Sequence, residues 1–144
     1  MSYARSRGGA RGPALAPFLI PVPVSPAFPV LIGLRASCFR DEMDRWVRGV
    51  GFETFVTDVG RTAVEWVRRT PEALTFLDRD LERVGGEEVW RVVRPIVSHR
   101  LVLMAEQRTK ELWFSALADG VGSVLPLPSG RDAVLTALRV LGSR

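Results

Sequence analysis

The sequence predicts a three-layer α/β domain, with five parallel strands in one sheet and single helices covering both of its faces. Three observations carry this expectation. Short apolar runs alternate with amphipathic stretches five times between Pro29 and Leu141. The runs are apolar throughout, as in strands buried on both faces. Each is followed by a stretch that reads as one helix, and right-handed crossovers through such helices give a doubly wound sheet.

In chain order, Val30-Leu31-Ile32-Gly33-Leu34 reads as the first strand. Ser37 is placed to cap a helix running to Gly49, with Phe39, Met43, Trp46, Val47 and Val50 on one face. Phe52 to Val56 is the second strand. Arg61 to Arg69 is the second helix, with Val64 and Val67 inward and Pro71 as its stop. Leu74 to Leu77 forms the third strand, and the third helix is expected from Gly86 to Arg94. Leu101 to Met104 is the fourth strand and Lys110 to Ala118 the fourth helix. Ser123 to Leu125 then forms the fifth strand and Arg131 to Leu141 the last helix.

Residues 1–28 read differently. Pro13, Pro17, Pro21, Pro23, Pro26 and Pro29 recur every two to four residues, after a start rich in Ser, Gly and Arg. The run from Pro13 to Leu34 carries no charge over 22 residues, nominally enough to span a bilayer. Interior prolines remove helical hydrogen bonds, however, and they also break what would be the core of a secretory signal. The expectation is an extended, proline-rich basic tail over 1–28 and a folded domain over 29–144. An over-long gene start is the alternative, with folding beginning near Phe28.

Composition narrows the function. The chain has 144 residues, 47% of them hydrophobic and 25% charged, which is ordinary for one globular domain. The formal charge is +4, yet Arg5, Arg7 and Arg11 account for three of the positives. From residue 12 onward, seventeen basic residues face sixteen acidic ones, so the domain itself is no candidate for nucleic-acid binding. A single cysteine, Cys38, excludes an internal disulfide, and a single histidine, His99, excludes a multi-histidine metal site. Cys38 opens the first helix and is expected to be a buried small side chain rather than a reactive thiol. His99 precedes the fourth strand and reads as a loop residue. The turn after the first strand, Gly33-Leu34-Arg35-Ala36-Ser37, is neither a dinucleotide fingerprint nor a phosphate-binding loop.

The third strand runs straight into Asp78. In an open parallel sheet chemistry collects at the carboxyl ends of strands, which makes Asp78 a site candidate. The competing reading is a loop cap, with the carboxylate bonded to a nearby backbone N–H.

The pattern Leu77-Asp78-x-x-Leu81, with Gly86 eight positions after the Asp and Glu88-Val89 following, resembles the phosphoacceptor segment of response-regulator receiver domains. Further spacings extend the resemblance over residues 30–141. Gly51-Phe52 closes the first helix, Gly60 and Ala63 open the second, Ala118-Asp119-Gly120 ends the fourth, and Pro128 follows the fifth strand. The resemblance implies a flavodoxin-like strand order, 2-1-3-4-5. It also implies a cytoplasmic signalling module that is not an enzyme.

The departures from the pattern matter as much. Leu34 and Arg35 occupy the slots where the family carries an acidic pair that holds Mg²⁺. Ala105 stands in place of the switch hydroxyl and Leu127 in place of the lysine before Pro128. Glu82 stands where the family usually has proline, and Asp80 keeps the corner acidic. A hard divalent cation requires several oxygen ligands, so no metal and no cofactor are expected. Phosphoryl transfer depends on positioned charge neutralisation, and most of its supports are missing around Asp78. The sequence therefore reads as a pseudo-receiver, with Arg35 a candidate to replace the cation by forking onto Asp78.

The fourth helix carries Leu112, Trp113, Phe114, Ala116 and Leu117, more apolar residues than one buried stripe needs. Trp113 and Phe114 are adjacent and cannot both face the core, so an exposed aromatic is expected there. The resemblance implies that the fourth helix, fifth strand and fifth helix form the usual dimer or partner face. The expected partner is thus a protein, or a second copy, with no membrane and no nucleic acid engaged by the domain itself. The favoured function is regulation by protein–protein contact without phosphorylation. The alternatives are an active phosphoacceptor using Asp78, or a flavodoxin-like domain binding a small molecule in the strand-end crevice.

Overall fold

The computed structural model describes residues 28–143; residues 1–27, and with them nearly all of the expected tail, lie outside the described residues. Five strands run β1 Val30–Gly33, β2 Thr54–Thr57, β3 Leu74–Asp78, β4 Leu101–Ala105 and β5 Ser123–Pro126. Between and after them come α1 Cys38–Gly49, α2 Gly60–Arg69, α3 Val89–Val97, α4 Lys110–Ala118 and α5 Arg131–Gly142. The strands form one sheet in the order β2-β1-β3-β4-β5, and all pairings are parallel. This is the doubly wound architecture that the alternation predicts.

Side-chain alternation along the strands separates the two faces. Leu31, Leu77, Leu101 and Leu103 point to one side, where Val64, Val67, Trp90, Val93, Leu112 and Ala116 of α2, α3 and α4 cover them. Val30, Ile32, Leu74, Phe76, Val102 and Met104 point to the other, against Met43 and Val47 of α1 and Val134 and Leu138 of α5. Burying both faces is why β3 and β4 are apolar at consecutive positions. Phe28, placed by the sequence at the end of the tail, is buried among the second group.

Capping follows the local chemistry. The Ser37 side chain accepts from the Arg40 N–H at 3.1 Å, and the Thr109 hydroxyl accepts from the Leu112 N–H at 3.1 Å. α2 opens on Gly60, where a Cβ would come within 2.7 Å of the Glu82 carbonyl oxygen, so only glycine allows this approach to the β3–α3 loop.

Four expectations need correction. α3 begins at Val89, not Gly86, because Gly85 and Gly86 adopt positive φ and the chain makes a small Val84–Glu87 bridge before turning into the helix. β2 begins at Thr54, since Phe52 stays outside the ladder with its ring against Phe28. Cys38 is exposed, because the first turn of α1 projects it past the strand ends into solvent. Val50 is also exposed, lying beyond the last turn of α1.

Candidate functional site

The site forms where the chain leaves β1 and β3. These neighbours pair Gly33 with Leu77, so the residues just beyond them, Arg35 and Asp78, emerge side by side at the carboxyl edge of the sheet. Asp78 ends the central strand, and its side chain is fully buried. Arg35 starts the β1–α1 loop with its side chain 47% exposed.

The two side chains meet as a fork. Arg35 Nε donates to Asp78 Oδ2 at 2.7 Å and Nη2 donates to Oδ1 at 3.3 Å. The Arg35 backbone N–H lies 3.4 Å from Oδ2, and the Asp80 backbone N–H donates to Oδ1 at 2.9 Å. Each carboxylate oxygen thus has two donors, and a carboxylate offers about four lone-pair positions in all. The Asp80 N–H contact is the loop cap of the competing sequence reading, made by the same carboxylate that holds Arg35.

Two further acids face the guanidinium. Asp80 Oδ2 lies 3.9 Å and Glu106 Oε1 lies 3.8 Å from Arg35 Nη2, both on largely exposed side chains. The hydrogen bonds to Asp78 hold the Arg35 pKa above its already high ordinary value; burial opposes this, while the charges of Asp78, Glu106 and Asp80 add to it. Arg35 is therefore a permanent cation at this edge. One side chain ties together the loops after β1, β3 and β4.

Around the fork lies a crevice of about 360 Å³, walled by Leu34, Ala36, Phe39, Leu127 and Pro128 on its apolar side. Ala105 is buried at the end of β4, where its carbonyl accepts from the Leu127 N–H at 3.0 Å. Neither residue presents a polar side-chain atom to Asp78. Leu34 turns into the core, and Arg40 donates to its carbonyl at 3.3 Å. The donor set does not suit a hard cation, because the oxygens of Asp78 are taken and its neighbours supply a guanidinium and hydrocarbon. Among the described residues no three His, Cys, Asp or Glu side chains form a metal-binding group.

The structure thus brings together Arg35, Asp78 and Asp80, with Leu34, Ala105 and Leu127 around them. Trp113 and Phe114 lie apart, on α4. Both are exposed, at 44% and 62%, with Leu117 also exposed at 40%, and the two rings stand 5.6 Å apart. Leu112 and Ala116 fill the inward stripe of that helix. Glu106 is the site residue that the sequence reading missed; its place one residue past β4 was the available signal.

No family model and no curated sequence matches the chain. The likeness is structural. The signal receiver domain of a protein described as a Luxo repressor from Vibrio parahaemolyticus superposes with a TM-score of 0.70 at 21% identity, covering 81% of this chain and 92% of that one. A response regulator receiver domain protein from Clostridium thermocellum gives 0.71 at 12% identity, over 81% and 95%. The BeF3-activated N-terminal receiver domain of RstA from Klebsiella pneumoniae gives 0.66 at 17% identity, over 80% and 97%. The chain has the CheY-like, flavodoxin-like fold of response-regulator receiver domains. Asp78 stands at the carboxyl end of its central strand.

Proposed function

We propose that the protein is a pseudo-receiver, a regulatory module that works through protein–protein contact without phosphorylation of Asp78. The observation that carries this reading is the Arg35 fork on Asp78. A phosphoacceptor needs a carboxylate oxygen free to attack in line and a cation to neutralise the transferred group. Here both oxygens are engaged, and the cation is a side chain that covers the attacking face. Ala105 provides no hydroxyl and Leu127 no ammonium to hold a phosphoryl oxygen. The exposed Trp113–Phe114 pair on α4 is the proposed contact surface, since exposed aromatics are the usual anchors of interfaces.

The test is incubation with acetyl phosphate and Mg²⁺ followed by intact mass measurement. The wild-type chain is expected to stay unmodified. A phosphoryl mass shift that disappears in Asp78→Ala would overturn the proposal in favour of an active receiver.

A further inference from the structure

A second concavity lies between α3 and the C-terminal end of α4. It measures about 350 Å³, with Trp90, Arg91, Arg94 and Pro95 on one wall and Ala118 and Asp119 on the other. Arg91 and Arg94 stand three apart on α3, so both side chains leave the same face of that helix.

The two arginines are used differently. Arg91 is engaged: Nη1 donates to Asp119 Oδ2 at 3.0 Å, Nε lies 3.9 Å from Glu88 Oε2, and the guanidinium covers the Trp90 ring at 4.5 Å from its centre. Arg94 is half-buried, and among the described residues its guanidinium has no hydrogen-bond or ion-pair partner. It lies over Gly120, which has φ +90°; a Cβ there would come 3.3 Å from Arg94 Cζ and 3.5 Å from its Nε. Gly120 therefore leaves the guanidinium its place beside the end of α4. The carbonyl end of that helix offsets about half a unit of its charge, and its N–H groups still have no acceptor.

Charge selects the ligand. Two guanidinia and one carboxylate line the pocket, an excess of one positive charge. Glu88 does not change this, because Arg83 Nη2 lies 3.8 Å from its Oε1. A carboxylate balances that excess. A phosphate group, at about −1.5 to −2 near neutral pH, overshoots it beside Asp119 and the negative end of α4. Position selects the carrier. Ala118 lies one helical turn, about 5.4 Å, past Phe114 and follows Leu117, and both of these are exposed on α4. A segment lying on this apolar ridge has the pocket within one turn of its path.

We propose, resting on the reading of α4 as the contact surface, that the pocket takes an Asp or Glu carboxylate from a protein partner whose apolar residues pack on Phe114 and Leu117.

Hydrocinnamate joins one ring to one carboxylate at a comparable spacing and serves as the probe, with hydrocinnamamide as its neutral twin. Heteronuclear NMR on the full chain at low salt reads the Arg94 Nε–H and the backbone N–H signals of Gly120, Phe114 and Leu117. The acid is expected to shift all four and to saturate at millimolar concentration, with the amide binding roughly ten-fold more weakly. Arg94→Gln should weaken the acid by the same factor and leave the amide unchanged. Equal binding of acid and amide, or acid binding that survives Arg94→Gln, overturns the proposal. Inorganic phosphate binding more tightly than the acid overturns it too, since the site would then serve a free oxyanion. Shifts confined to Phe114 and Leu117 remove the pocket and leave the contact surface standing, whereas silence at those two residues removes both. Labelling of Asp78 by acetyl phosphate is read separately and does not alter these outcomes. If Arg94→Gln lowers the melting temperature, the comparison of acid with amide on the wild type decides alone.

Discussion

Replacing Arg35 with Met removes the guanidinium while keeping an apolar stem against Leu34 and Phe39. Asp78 then retains two backbone donors, from Arg35 and Asp80, and loses its two charged ones. Breaking a fully buried ion pair costs about 3–5 kcal/mol, whereas an exposed pair is worth about 0–1 kcal/mol. The Asp78 side chain is fully buried, but Arg35 is 47% exposed and water can follow the vacated stem into the crevice. The loss should therefore fall between these limits, at about 2 kcal/mol. Asp78→Asn should cost less, about 1 kcal/mol, because the half-exposed guanidinium returns to solvent and the Asn carbonyl still accepts from the Asp80 N–H. The two changes share one interaction, so the double variant should fall short of their sum by about 1 kcal/mol. Urea unfolding followed by circular dichroism measures all four proteins with a common slope. An Arg35→Met variant within about 0.5 kcal/mol of wild type, or a strictly additive cycle, refutes the claim that the fork holds the site.

Other outcomes follow from the same structure. Phe114→Ala and Trp113→Ala should leave the melting temperature nearly unchanged. If α4 anchors an interface, sedimentation should show association weakened by roughly thirty-fold, about 2 kcal/mol. Leu112→Ala, on the inward stripe, should instead cost about 2–5 kcal/mol of stability in the same unfolding assay. Thr75 is buried in β3, and its hydroxyl has no hydrogen-bond partner among the described residues. The near-isosteric Thr75→Val should therefore stabilise the domain, by about 1 kcal/mol in denaturant titration, and a loss of stability would point to a bonded hydroxyl.

The sheet was legible because each strand is a short apolar run bounded by turn residues, and Asp78 stood out as a carboxylate closing the third such run. Arg35 was readable as its neighbour by counting past β1, since parallel register brings equivalent strand ends together. Glu106, one residue past β4, could be placed at this edge by the same count, but not against Arg35. Its approach to Arg35 depends on the path of the loop after β4, which no local pattern encodes. The start of α3 was misplaced because Gly85-Gly86 reads as a helix opening, whereas positive φ at both residues uses them in a turn. Cys38 was misjudged by residue type: cysteine favours interiors, but position 38 lies off the Met43–Val47 stripe that α1 turns to the sheet. On α4 the adjacency of Trp113 and Phe114 signals exposure of one ring. That both are exposed follows from Leu112 and Ala116 already filling the space beneath the helix.

The cation beside Asp78 belongs to the chain. A dissolved ion reaches a binding site at a frequency set by its concentration, and it leaves when the medium is depleted. A guanidinium on the side chain two residues past the end of β1 experiences an effective local concentration fixed by the backbone, and dilution does not lower it. On the proposed pseudo-receiver reading, the charge state of this edge is thereby uncoupled from the surrounding magnesium level. The melting curve of the domain should be the same in chelator as in millimolar divalent salt, apart from the ordinary effect of ionic strength on the exposed half of the pair.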